Sequence, residues 1–260
     1  MAKSMQRLKG MVYKLINWFK KEHKKTKLLL KDMPVLWFTT FILAVFLMNL
    51  LASKPLISSN WIVLDCGYLI SWISFFISDI IVKRYGAKAS IRITSITVII
   101  NLFLMCCLGL AGLIPGDWCL NEYSSIISWW ILLASSVAFL LSGIVNSVLN
   151  CMVTALFKKD NKSLKAYKIS SHISTIIGQF LDNLLFGLIF TLPASYAGFY
   201  GNSPISIIAI LMFAVTGAII ELLCQMIFSN VGYKVSKKWE SEGIGNEYLE
   251  YIKNEKNIKE

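Results

Sequence analysis

The sequence predicts an all-α integral membrane protein whose core is a bundle of six transmembrane helices. Hydrophobic residues make up 56% of its 260 residues, yet its formal net charge is +11. These two values fit together when the apolar residues form membrane spans and the charges gather at the ends of those spans. A span needs about 20 mainly apolar residues to cross the hydrocarbon core. Six stretches meet this need, at residues 35–52, 61–82, 93–114, 126–157, 169–192 and 205–231.

The positions of the basic residues predict the orientation. Of the 26 lysines and arginines, 25 fall in four segments: the leader through Lys31, residues 83–92, residues 158–168 and the tail after residue 233. Because basic residues stay on the cytoplasmic side, both termini are predicted to be cytoplasmic. This partition requires an even number of spans. We therefore expect a multi-pass protein of the bacterial cytoplasmic membrane, with the lipid bilayer as its surroundings.

Three segments divide the chain. Residues 1–33 form a basic cytoplasmic leader, residues 34–232 the six-span transmembrane domain, and residues 233–260 a charged cytoplasmic tail. Lysines of the leader are interspersed with the apolar residues Val12, Leu15, Ile16, Trp18 and Phe19. This pattern is typical of an amphipathic helix on a membrane surface, whose lysines meet anionic headgroups. A solvated basic leader is an equal alternative.

Three of the apolar stretches carry more specific expectations. The second stretch should hold Asp65 on its helical stripe. The fourth is too long for one straight span and too short for two, so a tilted or broken helix is expected, with Gly143 as the candidate break. The fifth should stop at Pro193, because proline disrupts helix interiors.

The residue types of common catalytic and metal sites are sparse. The six cysteines form no C-x-x-C pair, and the two histidines, His23 and His172, are distant in sequence. Cysteines within apolar stretches are expected to pack as small hydrophobic side chains. No Gly-x-Ser-x-Gly motif, His-x-x-x-His pair or nucleotide-binding loop occurs. We therefore expect no enzyme activity, no cofactor, no metal site and no nucleic-acid partner.

Four carboxylates lie within the apolar stretches, namely Asp65, Asp79, Asp182 and Glu221. A charge at the centre of a span costs about 2.5–3.5 kcal/mol on the insertion scale, so each one needs a reason. Asp65 can be hydrated near the outer surface, and Asp79 can pair with Lys83 at the inner interface. Asp182 and Glu221 have no such explanation, and we interpret them as functional.

Polar side chains around these carboxylates recur at helical spacing and predict a polar cavity inside the bundle. Asn146 and Asn150 could instead hold helices together by hydrogen bonds. Carboxylates and amides without resident cations suit a ligand with several N–H donors, and aromatic residues suit a planar ring, as in a purine-like heterocycle. The candidate binding residues are Asp182, Gln179, Asn183, Glu221, Asp79, Asn146, Asn150 and Trp72.

Three short motifs carry a resemblance to a known family. Residues 78–86 read SDIIVKRYG, residues 178–186 read GQFLDNLLF, and Glu221 is followed by a Lys-Lys-x-Glu ending at Lys237, Lys238 and Glu240. In this order and spacing, over about residues 35–240, the chain resembles the queuosine precursor transporters, also called the vitamin uptake transporter family.

The resemblance implies uptake of 7-deazaguanine precursors of queuosine, such as the 7-cyano and 7-aminomethyl bases, or of queuine itself. A guanine-like edge offers adjacent N–H donors that a carboxylate such as Asp182 or Glu221 could accept. The chain departs from the family pattern at four positions. Gly143 and Asn146 stand where many members have Gln and Asp, Gly217 where they have Lys, and Met226 where they have Pro.

A second functional class fits the same chain. The substrate-binding membrane subunit of an energy-coupling-factor transporter would have the same size and helix number, and would need separate ATPase and coupling subunits. The partners expected from the sequence are therefore a small-molecule substrate and the bilayer, with a homo-oligomer or energy-coupling subunits as further options.

Overall fold

The computed structural model describes residues 2–52, 55–58, 63–114, 126–198 and 205–257, and these are predominantly helical. The helices are α1 (Ala2–Asp32), α2 (Val35–Leu51), α3 (Tyr68–Tyr85), α4 (Ala87–Ala111), α5 (Ile126–Leu156), α6 (Leu164–Phe186), α7 (Leu192–Tyr196), α8 (Ile207–Ser241) and α9 (Asn246–Asn257). Between α2 and α3, strands β1 (Pro55–Ser58) and β2 (Val63–Asp65) pair in antiparallel fashion.

Helices α2, α3, α4, α5, α6 and α8 fall on the six predicted apolar stretches. In the described part of the chain, four helices are long and apolar enough to cross a bilayer: α4, α5, α8, and α6 with its continuation to Tyr196. Helices α1 and α2 form a pair bent by 106°, which adds a fifth span if the pair is counted as one. The remaining helix, α3, has 18 residues and includes Asp79, Lys83 and Arg84. The count of six spans therefore stays a prediction.

The second predicted span begins later than expected, and the helical position predicted for Asp65 is wrong. Val63, Leu64 and Asp65 form β2, and α3 begins only at Tyr68. Hydropathy alone does not distinguish a short apolar strand from the first turns of a buried helix, and β-branched residues such as Val63 favour strands.

Two expected interruptions are also corrected. Helix α5 runs unbroken through Gly143, where a Cβ atom would lie 3.0 Å from Cγ2 of Thr94. The absence of a side chain at Gly143 thus permits a close approach of α4 to α5. Nor does helical structure stop at Pro193, because a π-helical segment, Gly187–Thr191, links α6 to α7. Pro193 lies in the first turn of α7, where its missing N–H is tolerated.

The apolar core lies between α2, α3, α4 and α5, at residues that include Phe41, Phe75, Ile93 and Phe139. Helix α6 packs between α5 and α8 and buries a polar face instead. The buried polar residues of α6 are Ser170, Ser171, Ser174, Thr175, Gln179 and Asn183. Ser170 and Ser174 donate to backbone carbonyl oxygens of α6 itself, whereas Thr175 donates to Asp79 of α3. The buried amides of Gln179 and Asn183 need partners on neighbouring helices or on a ligand.

The four basic segments meet at one end of the bundle. Lys31 of the leader contacts Glu247 of the tail at 2.8 Å, and Nη2 of Arg84 donates to Asn246 at 2.7 Å. Arg92 pairs with Glu22, and Lys162 pairs with Glu240. This shared location agrees with the prediction that the four segments lie on one side of the membrane.

The orientation can be tested by tagging. We expect tags near residues 57, 119 and 200 to react with an impermeant reagent added outside intact cells, and tags near residues 87, 163 and 255 to react only after permeabilisation. Residues 119 and 200 lie outside the described part of the chain. A protected tag near residue 119 would contradict the six-span arrangement, because that loop joins the third and fourth predicted spans.

Candidate functional site

A cavity of about 50 Å³ lies among α2, α3, α5, α6 and α8, at the end of the bundle away from the basic segments. We call it the acidic cavity, because two of the four predicted carboxylates, Asp182 and Glu221, line it. No lysine, arginine or histidine is among its lining residues in the described part of the chain. Two carboxylates therefore face this cavity, and the described residues that line it with them are neutral.

Hydroxyl groups orient both carboxylates. Oγ of Ser142 donates to Oδ1 of Asp182 at 2.9 Å, and Oγ of Ser71 donates to Oε1 of Glu221. Glu221 is almost fully buried, whereas Asp182 is partly buried and opens into the cavity. Each carboxylate is thus fixed by a neighbouring helix.

Aromatic and amide side chains complete the wall. The rings of Tyr68 and Phe213 lie edge to face, with centroids 5.7 Å apart. Asn183 also lines the cavity, and its Nδ2 donor has no hydrogen-bond partner among the described residues. The wall therefore offers aromatic surface, acceptors and a spare donor within one small volume.

Gln179 is fully buried, and neither Nε2 nor Oε1 of its amide has a hydrogen-bond partner among the described residues. It lies on α6 one turn before Asn183 and one turn after Thr175. An unsatisfied buried polar group costs about 1–3 kcal/mol, which is a reason to expect a partner that is absent here, such as a ligand or water. Among the predicted binding residues, Gln179 is therefore the one that most clearly needs a hydrogen-bond partner from a ligand or water.

Asp79 is the centre of a second polar group, the Asp79 cluster, and is completely buried. Four side chains from three other helices donate to its carboxylate: Nδ2 of Asn150 at 2.7 Å, Nε2 of Gln225 at 2.7 Å, Nδ2 of Asn146 at 3.2 Å and Oγ1 of Thr175 at 3.3 Å. The carboxylate is satisfied by neutral donors and joins α3, α5, α6 and α8.

The ion pair between Asp79 and Lys83, which was the alternative explanation for Asp79, does not form in the structure. Among the described residues, no ion pair within 4.0 Å joins the two side chains. Nζ of Lys83 instead donates to the hydroxyl groups of Thr154 and Ser170. Because a one-turn spacing on a helix does not fix where a long side chain points, Lys83 reaches α5 and α6.

A larger cavity of about 410 Å³ opens at the basic end of the bundle. We call it the basic cavity, because Lys83, Arg84, Lys162 and Lys237 are among its lining residues. Lys83 also lies 5.6 Å from the centre of the Tyr167 ring, which lines the same cavity. Asp79 lies one helical turn before Lys83 on α3, and the residues of the Asp79 cluster are not among the described lining residues of this cavity.

The predicted binding residues therefore separate into two places instead of one. Asp182, Asn183 and Glu221 line the acidic cavity, and Asp79, Asn146 and Asn150 form the Asp79 cluster. Gln179 lies between them along α6. Trp72 belongs to neither, because its ring stacks on Phe228 with centroids 4.5 Å apart at the α3–α8 contact.

Two hydroxyl groups of the site, those of Ser71 and Ser142, were not among the predicted binding residues. Serine is common in membrane helices, so its presence alone gives little signal. Ser71 lies one helical position from Trp72, and Ser142 lies four residues before Asn146. The spacing placed Ser142 on the polar face of α5, but only the packed structure identifies Asp182 as its partner.

A family model described as a vitamin uptake transporter matches residues 65–237. This chain belongs to that family. The predicted membership of the vitamin uptake transporter family is confirmed, and with it a multi-pass membrane transporter of vitamin-like substrates, whereas the queuosine precursor subtype stays a prediction. No curated protein and no solved structure matches the chain. The matched region of this vitamin uptake transporter includes the whole Asp79 cluster and most of the acidic cavity, and it excludes α1 and α2.

Proposed function

We propose that this vitamin uptake transporter imports a queuosine precursor, either a 7-deazaguanine base or queuine, or a similar small N-heterocycle. The observation that carries the proposal is the acidic cavity, where Asp182 opens into shared space beside Glu221 and where the described lining residues include no cation. Buried carboxylates in a membrane interior need compensating donors. A ligand rich in N–H groups supplies those donors, and the carboxylate oxygens of the protein accept from them.

The hydrogen-bonding pattern of a guanine edge supports this choice. That edge presents two adjacent N–H donors and one carbonyl acceptor. A carboxylate such as Asp182 can accept from both donors, and these bonds are strengthened because one partner is ionised. The spare amide donors, Nε2 of Gln179 and Nδ2 of Asn183, can serve the carbonyl oxygen. Tyr68 and Phe213 provide ring surface for the flat heterocycle.

The two cavities support a route across the bundle. About 50 Å³ holds roughly one or two water molecules, so the acidic cavity must widen to admit a bicyclic base. The basic cavity, at about 410 Å³, is already in the size range of small-molecule sites. We infer that a ligand enters at the acidic cavity, passes Gln179 and the Asp79 cluster, and leaves through the basic cavity on the cytoplasmic side.

Gly217 provides a test of the cavity wall. A Cβ atom there would lie 2.5 Å from Cε1 of Tyr68 and 2.6 Å from Nδ2 of Asn183. We expect Gly217→Ala to push one of these groups into the acidic cavity and to weaken ligand binding several-fold, measured by titration of the purified protein. Gly10→Ala is the control, because the Cβ that it adds would have no heavy atom within 4 Å outside its own stretch of helix. Equal affinities in the two variants would contradict this placement of the ligand.

The proposed substrate can be tested in cells. A bacterial strain that cannot synthesise queuosine is given a 7-deazaguanine precursor, and the queuosine content of its tRNA is measured with and without this chain. In a host that also lacks its own precursor transporter, the proposal predicts modified tRNA only when the chain is expressed. Modification that requires added ATPase and coupling subunits would favour the energy-coupling-factor alternative, and no modification with any precursor would contradict the proposed substrate class.

A further inference from the structure

The first half of α1 extends away from the rest of the protein. Every residue from 10 to 20 is exposed, although the same helix becomes buried further on, at Leu29 and at Met33 just beyond its end. Six large apolar side chains in this exposed segment are each 46–65% exposed: Met11, Val12, Leu15, Ile16, Trp18 and Phe19. Such a contiguous apolar surface marks a site of interaction with a protein or a membrane.

The apolar and charged residues of this segment lie on opposite faces. At 100° per residue, the six apolar residues occupy an arc of about 160° on one side of the helix. Lys14, Asn17 and Lys20 lie on the other side together with Tyr13, and all four are exposed. A helix with an aromatic and aliphatic face opposite a lysine face has the composition of helices that lie in the membrane interface.

The angle between α1 and α2 sets the direction of the segment. The two helices meet at 106°, and only Met33 and Pro34 separate them. If α2 crosses the membrane, α1 runs nearly perpendicular to α2. Helix α1 then lies along the membrane surface at the basic end of the bundle. This short connection holds the exposed segment at the level where lipid headgroups are the nearest neighbours.

Ion pairs hold the second half of α1 and leave the first half free. Lys25 pairs with Glu22 at 2.8 Å and with Glu255 at 2.9 Å, and Lys31 pairs with Glu247. Among the described residues, no carboxylate lies within 4.0 Å of the Lys14 or Lys20 amine. The exposed half therefore carries positive charge that the described part of the protein does not neutralise.

We propose that residues 10–20 of α1 form an in-plane membrane anchor that binds anionic lipid. The apolar face inserts among the headgroups and upper acyl chains of the leaflet at the basic end, and Lys14 and Lys20 contact negatively charged headgroups. A second copy of the chain fits less well, because packing two apolar faces together would leave Lys14 and Lys20 of both copies on the outer sides without a counter-charge, which anionic headgroups supply.

Spin labels on the full-length protein in nanodiscs test the anchor. In a background where the six cysteines are replaced by serine, one label is placed at Leu15→Cys on the apolar face and another at Asn17→Cys on the opposite face. In discs of phosphatidylcholine with phosphatidylglycerol, the Leu15 label should be accessible to oxygen and shielded from a water-soluble nickel chelate. The Asn17 label should show the reverse.

The charge requirement is tested with the same label. Each lysine near an anionic surface contributes about a fivefold preference for it. The ratio of oxygen to nickel accessibility at Leu15 should therefore fall at least about fivefold in Lys14→Glu/Lys20→Glu, and should also fall in discs of phosphatidylcholine alone. Equal nickel access at both labels in all discs would overturn the anchor in favour of a solvated helix. Dipolar broadening between Leu15 labels that is independent of lipid would overturn it in favour of pairing between copies.

Discussion

Replacing Asp182 with asparagine is expected to weaken binding of a 7-deazaguanine base at least tenfold, or about 1.4 kcal/mol. Asp182 lines the acidic cavity, and its carboxylate accepts a hydrogen bond from the hydroxyl group of Ser142 at 2.9 Å. Asparagine keeps an oxygen for that serine, so the fold should persist. The substitution removes the negative charge and places an amide N–H donor opposite the N–H donors of the ligand. The interaction that is lost is therefore the hydrogen bonding between the carboxylate and the base.

Titration of the purified protein with the base measures this effect. Gln179→Ala should weaken binding less, because it removes a neutral donor and acceptor and leaves both carboxylates. Asp160→Asn is the control, since Asp160 is exposed in the short helix between α5 and α6. Unchanged affinity in Asp182→Asn would remove this residue from the site and leave it with a structural role in joining α6 to α5.

Replacing Asp79 with asparagine is expected to lower the uptake rate at least tenfold, which corresponds to about 1.4 kcal/mol in the barrier. Four donors converge on this completely buried carboxylate. Asparagine offers one carbonyl oxygen and an amide NH2 group, which is itself a donor, so at least one neighbouring donor loses its acceptor, at a cost of about 1–3 kcal/mol. Because the cluster joins four helices and Asp79 lies one turn of α3 before Lys83, which lines the basic cavity, its disruption should impair the movement of ligand between the two cavities.

Uptake into cells, normalised to the amount of protein in the membrane, measures this prediction. Asp160→Asn again serves as the exposed control and should transport normally. Full uptake by Asp79→Asn would show that the cluster is not on the transport route. Loss of the protein from the membrane would instead identify the cluster as necessary for folding, and melting curves of the purified variant separate the two outcomes.

The apolar stretches could be predicted from the sequence because hydropathy is a property of composition. The structure places a helix on each of the six stretches, from α2 to α8. Their ends were less predictable. The strand β2 was included in the second stretch because Val63 and Leu64 are as apolar as the helix that follows. The π-helical segment Gly187–Thr191 carries the chain past the expected end of α6, and no sequence signal marked it.

The sequence could predict which site residues share one face of the same helix, but not which helices face each other. Helical spacing placed Thr175, Gln179 and Asp182 together on α6, and Asn146 and Asn150 together on α5. It could not show that Gln225 of α8 donates to Asp79, since that bond joins residues 146 positions apart. Because such long-range contacts cannot be predicted from helical spacing, the sequence predicted a single polar cavity. The structure instead has the acidic cavity, the basic cavity and the separate Asp79 cluster.

Uptake by the purified protein in proteoliposomes tests the central claim most directly. Vesicles containing this chain alone are given a radiolabelled 7-deazaguanine precursor, and the trapped label is compared with that in vesicles containing Asp182→Asn and in empty vesicles. The account predicts accumulation or equilibration of the label with the unaltered chain, strongly reduced uptake with the variant, and competition by unlabelled precursor. Uptake no faster than in empty vesicles, from protein shown to be folded and correctly inserted, would contradict it.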